Sequence, residues 1–247
     1  MKKQEIKIEE VRHSLAHLLA AALLKKFPGA KLGIGPTIEN GFYYDFLLPQ
    51  SISSNDLKEF EDEIKNLINL NLLFKGKKVS PKEAKGILEH QPLKLELIEE
   101  FINPPDGGEK KDLTIYYTGD VFFDLCKGGH VKNTKEINPE AFKLTHVAGA
   151  YWRGDEKREQ LQRIYGLAFN TKEELDKYLN ILEEAKKRDH KKLGIELDLF
   201  TFSELVGSGL PLFTPKGTII RYLLDQYVWE LRKKHGYKRV DIPHVTK

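Results

Sequence analysis

Residues 9–27, EEVRHSLAHLLAAALLKKF, constrain the fold more than any other stretch, because they form a helix with no side to give up to water. The run is built of strong helix formers and closes at Pro28-Gly29, a helix stop. At about 100° per residue, Val11, Leu15, Leu18, Leu19 and Ala22 share one stripe, while His13, His17 and Leu24 lie opposite beside Ala16, Ala20 and Ala21. Such a helix has to be covered on both sides. One side suits a core, and the other suits the wall of a cavity in which two histidines spaced i, i+4 stand about 5–6 Å apart at Cβ. HxxxH by itself occurs often among satisfied core histidines, and it lacks the glutamate of HExxH.

A second pair, Cys126 and His130 in DLCKGGH, repeats that spacing and contains the chain's one cysteine. Residues 113–125 have the β-branched and aromatic content of strands interrupted at Thr118-Gly119-Asp120, which places Cys126 at a strand end. Gly128-Gly129 lets the chain turn and return His130 to the same side. Three imidazoles and a thiol brought together make either a tetrahedral soft-metal site or a metal-free hydrolytic pocket. A covalent route with Cys126 as nucleophile, its thiol acidified by His130 or Lys127, is the competing chemistry.

Strands mixed with helices predict an α+β fold, with the 9–27 helix laid on an antiparallel sheet. Two further helices are expected at about 55–72 and 80–89, the second opened by a Ser80/Glu83 capping box. The stretch 103–112, NPPDGGEKKD, reads as a surface loop. Thr171 to Glu174 form another capping box, opening one long charged helix to about Lys192, with Leu175, Tyr178, Leu179, Leu182 and Ala185 at core spacing. One cysteine excludes an internal disulfide, and no run is long and apolar enough for a signal or membrane segment, so a cytosolic setting is expected. Forty basic residues against 37 acidic ones leave a net charge of +3, which permits nucleic-acid binding without indicating it.

HSLAHLLAAALLKKFPGAKLGIGPTIENGFYYDF, DLCKGGHV, KLTHVAGAYWRGDEKREQLQRIYG and KRDHKKLGIELDLF, together and in this order, resemble the bacterial-type threonyl-tRNA synthetases across nearly the whole chain. The resemblance implies an editing domain over 1–170, a linker helix over 171–194, and over 195–247 the N-terminal part of a class II catalytic domain. Editing here means hydrolysis of serine wrongly esterified to threonine tRNA. Serine is threonine minus one methyl, worth only about 1–3 kcal/mol of discrimination, so a synthetic site built for threonine admits some serine and a second, smaller site must remove it.

By the same resemblance, His13 and Lys94 take the central catalytic and positioning roles. His17, Cys126 and His130 shape the pocket and hold the amino and hydroxyl groups of serine. Asp124, on the strand face shared with Cys126, orients the substrate amine, and Tyr44 lines the tRNA end of the site. The related alanyl-type editing domains hold zinc with the same four residues, His13, His17, Cys126 and His130 here, whereas the threonyl branch is regarded as working without metal. The family usually reads Cys-x-Gly-Pro-His, so Gly129 is a departure.

Residues GLPLFTPKGTIIRYLLDQYVWELRKKHGYKRVDIPHV resemble motif 1 of the class II core, with Pro243 its closing proline. Ile219, Ile220, Leu223, Leu224, Tyr227, Val228 and Leu231 form a wide apolar stripe, which in that family belongs to a dimer interface. The ATP-binding motifs, with their ATP and zinc, would lie outside this chain, as would the small domain that often opens bacterial members. The expectation is therefore a fragment of a homodimeric, cytoplasmic ligase acting on tRNA(Thr), in which editing needs no cofactor and aminoacylation is beyond this portion alone. Two other readings remain: a zinc-dependent trans-editing hydrolase of the alanyl type, and a non-enzymatic tRNA-binding module.

Overall fold

The structure is a computed structural model that describes residues 6–104, 107–108, 112–207 and 209–242. Parts of the 103–112 loop and Pro243, expected to close motif 1, lie outside the described residues. The chain divides into two compact units, Met1–Tyr178 and Leu179–Lys247.

The first unit begins with α1 (Ile8–Lys26), then β1 (Lys31–Leu32), β2 (Thr37–Ile38) and β3 (Gly41–Leu47). It continues through α2 (Leu57–Asn69), β4 (Phe74–Lys78), α3 (Pro81–Ile87), α4 (Pro92–Ile102), β5 (Thr114–Thr118) and β6 (Phe122–Leu125). The long strands β7 (Phe142–Tyr151) and β8 (Gln160–Ala168) complete it, and α5 (Lys172–Lys187) runs out of it. The second unit holds α6 (His190–Glu196), the short β9 (Phe200–Thr201) and β10 (Leu212–Phe213), and α7 (Pro215–Lys234).

Two antiparallel sheets form the first unit: β1-β3-β8-β7 with β2 added beside β3, and a separate β4-β5-β6. The mixed helices and antiparallel sheets make it α+β. The helix α1 is covered on both sides, as its composition requires. Leu15, Leu18, Leu19 and Leu23 on it are fully buried, and so are Ala16 and Ala20. Its core partners include Phe42, Tyr44 and Phe46, three alternate residues on one face of β3, and Phe60, Ile64 and Leu67 from α2. Burying one such large apolar side chain is worth about 1.5–3 kcal/mol, so this sandwich fixes where α1 sits and hence where its histidines point.

Arg12 anchors the other end of α1. Only 7% exposed, it donates to the carbonyls of Ala168 (3.1 Å), Glu39 (2.5 Å) and Ile38 (3.4 Å), tying the first turns of the helix to the β2–β3 turn and the end of β8. Replacing Arg12 by Met keeps the aliphatic stem and leaves these carbonyls unpaired. The expected cost is about 2 kcal/mol, read as a fall in the urea midpoint at unchanged slope. An unchanged midpoint would show that the clamp contributes nothing.

The Ser80/Glu83 box is present in both directions: the Ser80 N–H donates to the Glu83 carboxylate (2.8 Å) and the Glu83 N–H to the Ser80 hydroxyl (3.3 Å). The helix α4 starts at Pro92, well suited to a first helical turn, and its Ile98 is buried with Leu88 and Ile115. The single helix expected from 171 to about 192 is corrected to two. Asp189 leaves helical geometry (φ −58°, ψ 124°), and its carboxylate accepts from the N–H groups of Lys191 and Lys192, capping α6 as a new start. In the second unit α7 leaves Ile219, Ile220, Leu223, Leu224, Tyr227 and Leu231 exposed by 42–61%.

Candidate functional site

Three elements deliver the two pairs to one point. The helix α1 presents His13, Ser14 and His17, while β6 ends one residue before Cys126. Gly128 and Gly129 then take left-handed conformations (φ +98° and +84°) that fold His130 back over the helix. Proline is locked near φ −65°, so this loop follows a path that the usual Cys-x-Gly-Pro-His sequence cannot take. The Cys126 Sγ lies 3.3 Å from both His13 Nε2 and His130 Nε2 and accepts the Gly128 N–H at 3.3 Å. The rings of His13 and His130 stack at 4.1 Å, and His17 meets His130 at 4.2 Å. Tyr116 closes the wall, its ring 4.9 Å from that of His130. It lies so close to Gly76 and Gly128 that a Cβ at either would come within 2.7 Å of it.

Behind the cluster lies a buried ion pair. Lys94 Nζ reaches Asp124 Oδ1 at 2.6 Å, with side chains 2% and 4% exposed. Both Asp124 oxygens are engaged: Oδ1 also accepts the Leu125 N–H (2.7 Å), and Oδ2 accepts the Tyr44 hydroxyl (2.5 Å). Asp124 thus ties Lys94 to the strand and to Tyr44. Tyr44 is fully buried, and its ring stacks on Phe46 (4.8 Å). The neighbouring Tyr43 faces the opposite side of the sheet, under the guanidinium of Arg163 at 3.9 Å. Sequence reasoning missed Ser14, whose hydroxyl sits 3.4 Å from His130 Nδ1; its place between the two histidines of HSLAH was the available signal.

Burial sets the charge state of the cluster. Desolvation pushes the Cys126 thiol up to about 11 and His130 down to about 3. His17 is driven well below its ordinary value by desolvation, with His130, His13 and Lys94 adding to it. His13 is also lowered by desolvation, but the charge of Asp124 and hydrogen bonds to the backbone of Gly129 and Gly128 offset part of this. Near neutral pH the pocket therefore holds three neutral imidazoles and a protonated thiol. A thiol held that high is a poor nucleophile, which weighs against the covalent route. Among the three imidazoles, His13 keeps the most basicity.

A histidine whose folded pKa is depressed gives stability that is complete above the unfolded value near 6.5 and is lost as pH falls from there toward the folded value. His130, held near 3, should cost about 2 kcal/mol between pH 7.5 and 5, and His17, lowered by the same burial, should add to the loss. Urea titrations at pH 7.5 and 5 check this, and a His130→Phe/His17→Phe double variant should lose most of the difference.

The four donor groups also fit a soft divalent metal. One ligand atom from each of His13, His17, Cys126 and His130 falls within 4.8 Å of the others, the compactness tetrahedral zinc needs with bonds of about 2.0–2.3 Å. In addition, the His17 Nδ1 is buried with no hydrogen-bond partner. No other group of three or more such side chains is arranged this way among the described residues.

Comparison with known proteins places these observations in a family context. The family described as "Threonyl and Alanyl tRNA synthetase second additional domain" matches residues 113–165, a span that includes Asp124, Cys126 and His130. The threonine–tRNA ligase of Gloeobacter violaceus is 49% identical over 243 residues, covering 98% of this chain and 38% of that protein. The ligase of Dehalococcoides mccartyi is 47% identical over 240 residues (97% and 40%), and that of Synechococcus elongatus 45% identical over 246 residues (99% and 39%). The chain thus spans about two fifths of the length of the curated relatives it matches.

Proposed function

We propose, for a chain related over nearly all of its length to threonine–tRNA ligases, that its first unit hydrolyses the seryl ester of tRNA(Thr). The observation that carries this reading is the convergence of three neutral imidazoles and a protonated thiol beside the buried Lys94–Asp124 pair. Ester hydrolysis needs an activated water, positive charge near the developing oxyanion and a proton for the leaving ribose oxygen. His13, the least depressed of the imidazoles, takes the proton from water and returns it to the ribose oxygen. Lys94, held by Asp124 and Tyr44, supplies fixed positive charge at the edge of the cluster. His17, Cys126 and His130 are neutral acceptors suited to the ammonium and hydroxyl of serine. Selectivity for serine would require this site to exclude the methyl of threonine.

The remaining assignments extend the same reading. Residues 1–170 are the editing domain, 171–194 the linker, and 195–247 the start of a class II catalytic domain whose α7 stripe faces a second subunit. The complete protein attaches threonine to tRNA(Thr) with ATP as a cytoplasmic homodimer. Among the described residues no helix is long and apolar enough to cross a membrane.

A second reading rests on the unpartnered His17 Nδ1: a zinc-dependent hydrolase of the alanyl type. His13, His17, Cys126 and His130 would hold the ion, and it would supply Lewis acidity, with an acidified bound water where one of the four gives up its place. Purified chain incubated with Ser-tRNA(Thr) and Ser-tRNA(Ala), with and without chelator, separates the two. Chelator-insensitive release of serine from the threonine tRNA supports the first reading. Chelator-sensitive activity on the alanine tRNA supports the second, and no release from either tRNA contradicts both.

A further inference from the structure

Ser14 is fully buried on α1, between the two histidines of HSLAH, and its hydroxyl meets three groups at once. Its Oγ lies 2.7 Å from the Glu10 carbonyl, accepts the Val131 N–H at 3.1 Å, and sits 3.4 Å from His130 Nδ1. A serine hydroxyl has one proton and two lone pairs. The Glu10 carbonyl can only accept, so the proton goes there, a common bond of serine to the carbonyl one turn back in a helix. The Val131 N–H takes one lone pair. The contact to His130 is then possible in one sense only: Nδ1–H donates and the serine oxygen accepts.

We infer that Ser14 is a positioning residue that fixes His130 as its Nδ1–H tautomer, leaving a bare Nε2 directed at Cys126 Sγ. This inference rests on the hydrolytic reading for its consequence, though not for its geometry. A neutral imidazole carries one N–H, so committing it to Ser14 makes Nε2 an acceptor. His13 Nε2 is the other neighbour of the same sulfur at 3.3 Å. The bare Nε2 of His130 can take the thiol proton or a donor brought by a ligand, such as the ammonium or hydroxyl of an aminoacyl ester. Ser14 thereby provides the site with an acceptor for a donor-rich group.

Long-range proton–nitrogen NMR correlation on the histidine-labelled 247-residue chain at pH 7.5 reads the tautomer directly. The expected result is Nδ1–H at His130 in the wild type, a shift toward Nε2–H in Ser14→Ala, and return of Nδ1–H in Ser14→Thr, which keeps the hydroxyl. Serine release from Ser-tRNA(Thr) should fall at least tenfold in Ser14→Ala and recover in Ser14→Thr. A wild-type His130 protonated on Nε2, or an unchanged tautomer in Ser14→Ala, overturns the inference; the wild-type spectrum alone decides if the alanine variant does not fold. Nδ1–H with no deacylation by the wild type leaves the tautomer assignment standing and removes the hydrolytic reading.

Discussion

Asp124→Ala should be the most destabilising single substitution in the first unit, at about 3–5 kcal/mol. The carboxylate is nearly fully buried and holds the Lys94 ammonium, the Tyr44 hydroxyl and the Leu125 amide together. Removing it leaves an ammonium 2% exposed with no counter-charge and a phenol with no acceptor, and the desolvation already spent on both is not recovered. For a domain of this size the loss corresponds to a fall in Tm on the order of 10 °C. The mechanism can be separated from mere packing loss by Lys94→Met in the same chain. If the unpaired charge is what costs, Asp124→Ala/Lys94→Met will be more stable than Asp124→Ala alone, although both partners are gone. A single variant that unfolds within about 1 kcal/mol of wild type would show that the pair contributes little.

The second large effect is on chemistry. His13→Ala should lower the single-turnover rate of serine release from Ser-tRNA(Thr) by about 10²–10⁴, the range expected when a positioned general base is lost. His130 is pushed down to about 3 and His17 lies well below its ordinary value, so neither can replace it as a base near neutral pH. His17→Ala should behave differently, acting more on stability, because His17 is 1% exposed while His13 is partly open. Equal rates for wild type and His13→Ala, with both proteins folded, would remove His13 from the mechanism.

Legibility from sequence followed the range of the interactions. The helix α1 was expected over 9–27 and runs Ile8–Lys26, since a local run of helix formers and a Pro-Gly stop set both ends. The Ser80/Glu83 box and the Gly128-Gly129 turn are also local, and both were visible. The helix and the glycine turn were enough to bring His13, His17, Cys126 and His130 into one cluster. What stayed hidden depends on partners distant in the chain. Nothing near Lys94 announces that α4 aims it at Asp124, or that Tyr44, expected at the tRNA end of the site, is buried against the same carboxylate. The break before α6 turns on a single carboxylate, Asp189, which caps the next turn within an otherwise continuous charged run. Ser14 was hidden for a related reason: its role appears only when the Val131 amide and the His130 ring arrive from the far end of the site.

The measurement that bears most directly on the central claim is the single-turnover hydrolysis of Ser-tRNA(Thr) beside Thr-tRNA(Thr) by the same preparation of this chain. The account predicts rapid loss of serine with threonine retained, since an editing site has to reject the one further methyl of threonine. Equal hydrolysis of the two esters, or hydrolysis of neither, would contradict it.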